Sequence, residues 1–177
     1  MRTGEGESCL ERENSCCFTG HRPDKLPWRD QESDPRCQAL KERLAEALAR
    51  AYQAGYRHFI CGMARGSDLY FAEAVLALRE QHAEVTLECA RPCETQADSW
   101  PQRERQRYYG ILERCNYETL VQHHYDRACM TRRNRYMVDH ASRLITVYNG
   151  VPKGGTAQTL AYALRQGLET DILAVEE

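Results

Sequence analysis

The 177-residue chain has only 3 lysines against 21 arginines, and its 24 basic residues are outnumbered by 26 acidic ones. A formal net charge of −2 argues against a protein that coats nucleic acid or anionic membrane, while leaving room for a local basic site. No apolar run approaches the ~20 residues of a membrane span. The first residues carry Glu5, Glu7, Glu11 and Glu13 and lack the basic start and apolar stretch of a secretory signal, so the expected compartment is the cytoplasm. The 9 cysteines contain no Cys-x-x-Cys pair, and Cys89 and Cys93 have no counterpart at similar spacing. That excludes a zinc-ribbon pattern. The cysteines read as reduced, mostly buried small hydrophobes, and no metal is expected. Neither Gly-x-Gly-x-x-Gly nor the Gly-Lys-Ser/Thr of a P-loop occurs.

What the chain does have is a regular alternation. Short apolar segments fall at Ser15–Gly20, 57–61, 84–90, 117–121, Arg143–Tyr148 and 171–175. Between them, amphipathic stretches at 37–54, Ser67–Gln81, 100–114, 132–141 and 155–167 have helical spacing. In the first of these, Leu40, Leu44, Leu48 and Ala51 recur on one face, and Gly55 follows as a terminator. Strands alternating with helices predict an α/β fold: a single doubly wound, Rossmann-like domain with a mainly parallel sheet covered on both faces. That domain spans 15–177, behind a loose tail at 1–14.

Ligands of such folds bind beyond the carboxyl ends of the strands. Three strand-to-helix turns there carry residues suited to an anion. The first holds Gly20, His21 and Arg22, followed by Lys25. The second, Gly62-Met63-Ala64-Arg65-Gly66-Ser67-Asp68, pairs two glycines with a helix start. Its amides suit a phosphate, and Asp68 suits a ribose hydroxyl or a contact with Arg65. Capping by Ser67 or Asp68 is the plainer alternative. The third, Pro152-Lys153-Gly154-Gly155-Thr156, offers amides and a hydroxyl at another helix start. The run Arg132-Arg133-Asn134-Arg135 sits at the start of its predicted helix, the wrong end for cations in the helix dipole. It fits either an anionic ligand or pairing with Asp126 or Asp139.

These turns, together with Leu26-Pro27-Trp28, Pro92-Cys93-Glu94, Gln96-Ala97 and Met130…Tyr136-Met137-Val138-Asp139, resemble the YpsA-like branch of the SLOG superfamily from Ser15 onward. More distantly the chain is similar to the LOG phosphoribohydrolases and to the DNA-processing protein DprA. The resemblance implies a Rossmann-like fold and a nucleotide or nucleotide-derived ligand such as a mononucleotide, ADP-ribose or NAD. Gly20, His21, Arg22, Gly62, Arg65, Gly66, Ser67, Asp68, Arg133, Gly154, Gly155 and Thr156 are the candidate binding residues. By position, Met130, Arg133 and Met137 match one LOG motif, and Gly155-Thr156 match another. Thr159 falls where the LOG enzymes place a catalytic Glu, so base-cleaving activity would need another carboxylate: Asp68, Glu73 or Glu94. The expectation is a binding protein or sensor, with a nucleotide N-glycoside hydrolase as the alternative and a DprA-like DNA role third. Whether any reaction is catalysed stays open, and a homo-oligomer is compatible with the chain.

Overall fold

The computed structural model of the chain describes residues 10–176; residues 1–9 and 177 lie outside the described residues. Most of the expected tail is therefore outside them. Of the remainder, Arg12–Asn14 forms a 3-10 turn, and Arg12 Nε donates to Ala141 O at 3.2 Å.

Six strands form one parallel sheet: β1 (Ser15–Gly20), β2 (His58–Cys61), β3 (Thr86–Arg91), β4 (Tyr117–Leu120), β5 (Arg143–Tyr148) and β6 (Glu169–Ala174). They lie in the order β4-β3-β2-β1-β5-β6, and every pairing is parallel. The connecting helices are α1 (Pro35–Gln53), α2 (Ser67–Gln81), α3 (Gln102–Arg114), α4 (Cys129–Asp139) and α5 (Gly155–Arg165). One apolar layer joins α1, α2 and α3 to the sheet through Leu44, Leu48, Phe71, Val75, Ile111 and the stacked rings of Phe18 and Phe71. A smaller layer on the opposite face joins α4 and α5 through Met137, Val138, Leu160 and Ala163. The core strands β1, β2, β3 and β5 are buried on both faces, as a parallel sheet requires.

The chain order reverses between β1 and β5: from β1 it moves outward through β2, β3 and β4, then returns to β5 on β1's other side. A crevice opens at the carboxyl ends of these two strands, the usual ligand position in open α/β sheets. Eight described cysteines are free and seven of them are buried; burial pushes the Cys16 thiol up to about 12, against the nearby charge of Arg143.

Three helix starts differ from the sequence reading: α3 begins at Gln102 rather than 100, with Pro101 as its N-cap. α1 begins at Pro35 rather than 37, because proline suits the first helical position and the Asp34 carboxylate accepts from Arg36 N at 2.9 Å. α4 begins a turn earlier than 132, at Cys129, after Asp126 Oδ1 has accepted from Ala128 N at 2.9 Å. The arginine run therefore sits in the second turn, where the dipole is weaker.

Candidate functional site

The crevice holds a cavity of about 160 Å³ lined by the end of β1 (Phe18, Thr19, Gly20), the following loop (His21, Arg22, Asp24, Lys25), Ala64, Asp68, the α4 residues Arg133, Asn134 and Met137, and Gly155 and Thr156 of α5. Asp24 also borders two larger clefts. One, of about 780 Å³, runs past Arg22, Arg65, Gln96, Trp100, Tyr125 and Met130. The other, of about 650 Å³, runs past Lys25, Arg29, Arg36, Asn149 and Lys153.

Two glycine turns that look alike in sequence differ here. At α5, Gly154 is the N-cap with φ 88° and ψ −178°, and no side chain caps the helix. Gln158 N donates to Gly154 O, but the amides of Gly155, Thr156 and Ala157 find no acceptor among the described residues. Thr156 is buried against the cavity with its hydroxyl unpaired. The N-terminus of α5 is therefore open.

The N-terminus of α2 is closed. Ser67 N and Oγ both donate to His21 O, at 3.2 and 2.7 Å, and Leu69 N and Tyr70 N donate to Gly66 O. Gly66 has φ +85°, and a Cβ there would lie 2.9 Å from His21 O, so this glycine serves close packing. Asp68 Oδ2 accepts from Ala64 N at 3.0 Å. Neither Ser67 nor Asp68 caps the helix as the plainer alternative expected: Gly66 is the N-cap, with no side-chain cap hydrogen bond. Arg65 turns away from Asp68 and pairs with Asp30 at 2.9 Å, on the wall of the 780 Å³ cleft.

Arg133 is the buried cation of the site, 4% exposed. It donates to Gly62 O through one guanidinium nitrogen and to Asn134 Oδ1 at 2.8 Å through Nε. A Cβ on Gly62 would lie 2.8 Å from the guanidinium carbon, so Gly62 is a seat for this side chain rather than a donor to a ligand. Burial draws the Arg133 pKa below its usual value while the Asp68 charge opposes that. For Asp68, burial raises the carboxyl pKa, and Arg133 and the Ala64 amide oppose the rise. Arg132 and Arg135 part company with Arg133: the first pairs with Asp126 at 2.7 Å, and the second lies over the Tyr162 ring at 5.3 Å.

His21 is not a cation of the site at neutral pH. It is 2% exposed, and its Nε2 accepts from Asn149 N at 3.0 Å, which leaves the ring proton on Nδ1. Burial holds its pKa below the ordinary value. Its ring and carbonyl thus tie the end of β1 to the β5–α5 loop and to α2. Arg22 is exposed at the mouth, with NH2 3.9 Å from Met130 Sδ.

Of the three alternative acids, only Asp68 reaches the cavity. Glu73 pairs with Arg107 on the far side of α2, and Glu94 with His123 at 2.9 Å. Thr159 Oγ1 donates back to Gly155 O at 2.8 Å and borders a different, shallow depression between α4 and α5. No group of three or more His, Cys, Asp or Glu side chains among the described residues is placed to share a metal ion. No helix among them is long and apolar enough to cross a membrane. The candidate binding residues omit Asp24 and Lys25, which line the cavity, and Lys153, which borders the 650 Å³ cleft.

Comparison with known proteins gives consistent relatives. The chain is 25% identical over 141 residues to a UPF0398 protein of Bacillus pumilus, covering 76% of this chain and 75% of the relative. It is 28% identical over 143 residues to the SPbeta prophage-derived protein YoqJ of Bacillus subtilis, covering 73% and 83%. It is 22% identical over 148 residues to the UPF0398 protein YpsA of the same species, covering 82% of each chain. In fold it is similar to DNA processing protein A of Helicobacter pylori, with a TM-score of 0.61 at 13% identity, over 98% of this chain and 70% of that one. The YpsA family model matches residues 16–177, which include every element of the sheet except the first residue of β1, and the chain belongs to the family it describes, the YspA SLOG family.

Proposed function

We propose that this protein binds a nucleotide or nucleotide-derived ligand in the β1/β5 crevice. The observation that carries this reading is the open start of α5. Gly155 and Thr156, whose amides are free, line one cavity with Arg133 and Lys25. Cations beside the positive end of a helix dipole repel it, and an anion between them reverses that repulsion. At about 160 Å³ the cavity holds a phosphoryl group but is smaller than the ~300 Å³ at the lower end of small-molecule sites. The nucleoside then occupies the adjoining 780 Å³ cleft, where Trp100 and Tyr125 offer aromatic surface. Nucleoside hydrolysis has less support, because Thr159 faces away and Asp68 already serves the Ala64 amide and Arg133.

The test is a thermal-shift panel of AMP, GMP, CMP, ADP-ribose and NAD on the wild type and on Gly155→Val, whose new side chain enters open space at the cavity. A ligand at 100 times its Kd should stabilise the wild type by about 2.7 kcal/mol and leave the variant unshifted. No shift with any of them would overturn the reading. A second reading, a single-stranded nucleic acid ligand, is favoured by the fold likeness to a protein described by its single-stranded DNA binding mode. Fluorescence anisotropy with a labelled single-stranded oligonucleotide separates the two: tight, salt-sensitive binding alongside an unresponsive nucleotide panel selects it.

A further inference from the structure

The 650 Å³ cleft beyond Lys25 plays no part in the reading above. It is lined by Lys25, Arg29, Arg36 and Lys153, with Asp24 as its acid. Arg36 is already met by Asp34, at 3.0 and 2.8 Å from Nε and NH2. Arg29 gives one guanidinium hydrogen bond to the Asp24 carbonyl and holds a left-handed backbone, φ 56°, which a non-glycine residue keeps only where its surroundings impose it.

The lysines are the decisive feature. This arginine-rich chain has three, and Lys41 pairs with Glu32 at 2.8 Å. The other two, Lys25 and Lys153, have no ion-pair partner among the described residues, and both border this cleft. With Arg29 they line it, and the Asp24 carboxylate alone does not balance their charge. Lys153 precedes Gly155 by two residues, so their Cα atoms are at most ~7.6 Å apart. Between them lies Gly154, against which the Lys25 ammonium rests. Lys25 borders both spaces.

We infer that this cleft is a second anion subsite, which takes a second phosphoryl group bonded to the first. The ligand is then a nucleoside diphosphate, free or esterified at its far end, rather than a monophosphate. The inference rests on the nucleotide reading above. In this arrangement the nucleoside leaves the cavity past Arg22 toward Trp100 and Tyr125, and the phosphate chain leaves it past Lys25 toward Lys153. Lys25 serves both phosphoryl groups, and Lys153 serves only the second.

Isothermal titration of the full chain with AMP, ADP, GMP and GDP tests this, on the wild type and on Lys25→Gln, Lys153→Gln and Lys41→Gln, each first shown to melt cooperatively without ligand. The wild type should bind the diphosphate of its preferred base about tenfold or more tighter than the monophosphate, the lower end for a charge-assisted hydrogen bond. Lys153→Gln should bring that ratio to within about twofold, Lys25→Gln should weaken both ligands, and Lys41→Gln should leave the ratio as it was. Equal affinities in the wild type, a ratio that survives Lys153→Gln, or a ratio lost equally in Lys41→Gln would overturn the second subsite and leave the nucleotide reading standing. Binding of none of the four by the wild type would overturn the second subsite, and the nucleotide reading falls with it when CMP, ADP-ribose and NAD also fail to bind.

Discussion

The Lys25 ammonium rests against Gly154, so close that a Cβ on this glycine would collide with Nζ. One residue comes from the loop after β1 and the other from the turn after β5, so this contact joins the two sides of the crevice beside the open start of α5. A side chain at 154 would both displace the lysine and strain the backbone.

The neighbouring glycines should therefore separate stability from binding. Gly154→Ala forces a backbone of φ 88° and ψ −178°, a region kept almost entirely by glycine, and should destabilise the protein by about 1–3 kcal/mol in urea unfolding. Gly155→Ala meets nothing within 4 Å and should leave the unfolding midpoint nearly unchanged. Both should lose nucleotide affinity in calorimetry. Equal destabilisation by the two would mean that the conformation of the turn is not what sets them apart.

Arg133 and Asp68 should behave as a unit. Arg133→Ala removes the positive charge that acts on the buried Asp68 and leaves the Gly62 carbonyl without its donor, so it is expected to cost about 1–3 kcal/mol of folding stability. Asp68→Asn combined with Arg133→Ala should recover part of that loss, since the orphaned carboxylate is gone. A double-mutant cycle by chemical denaturation measures it, and strict additivity would show that the two charges do not interact.

The stability contribution of His21 should fade in mild acid. Burial sets its folded pKa below the ordinary value, the Asn149 side chain opposes that, Lys25 adds to it, and Asp24 opposes it. The unfolded chain therefore takes up this proton first. The contribution is complete above about pH 6.5 and is lost as the pH falls through that value toward the folded pKa, at up to ~1.4 kcal/mol per pH unit. The unfolding free energy of wild type minus that of His21→Gln, followed from pH 7.5 to 5, should shrink accordingly. A difference that grows on acidification would reverse the sign assigned here.

Restoring a carboxylate at the LOG position should not create a hydrolase. Thr159 is 4% exposed and bonded to the Gly155 carbonyl, outside the cavity. Thr159→Glu should therefore release no free base from AMP, GMP or CMP on chromatography. Its main effect should be destabilisation, by about 1–3 kcal/mol from overpacking. Base release by the variant but not by the wild type would show that this helix face reaches the ligand.

The alternation of short apolar strands with amphipathic helices determined the fold class by itself, because each element's periodicity is a local property. Ser67–Gln81 and Arg143–Tyr148 are legible to the residue: a glycine turn precedes the helix, and the strand is flanked by polar residues. Of the candidate residues, Gly20, His21, Arg22, Asp68, Arg133, Gly155 and Thr156 line one cavity, while Gly62, Arg65, Gly66, Ser67 and Gly154 do not. Their division of labour was not legible in the sequence. The α2 and α5 turns carry the same signals of glycine, helix start and hydroxyl. What closes the first is the His21 carbonyl, 46 residues away from Ser67, together with the Asp68 carboxylate on the Ala64 amide. The pairing of Arg132 with Asp126 and the burial of Arg133 likewise follow from which face of α4 packs on the sheet. Hydrogen-bond partners and desolvation are set by neighbours distant in sequence, so only the tertiary structure decided which helix N-terminus stays open and which cations stay unpaired.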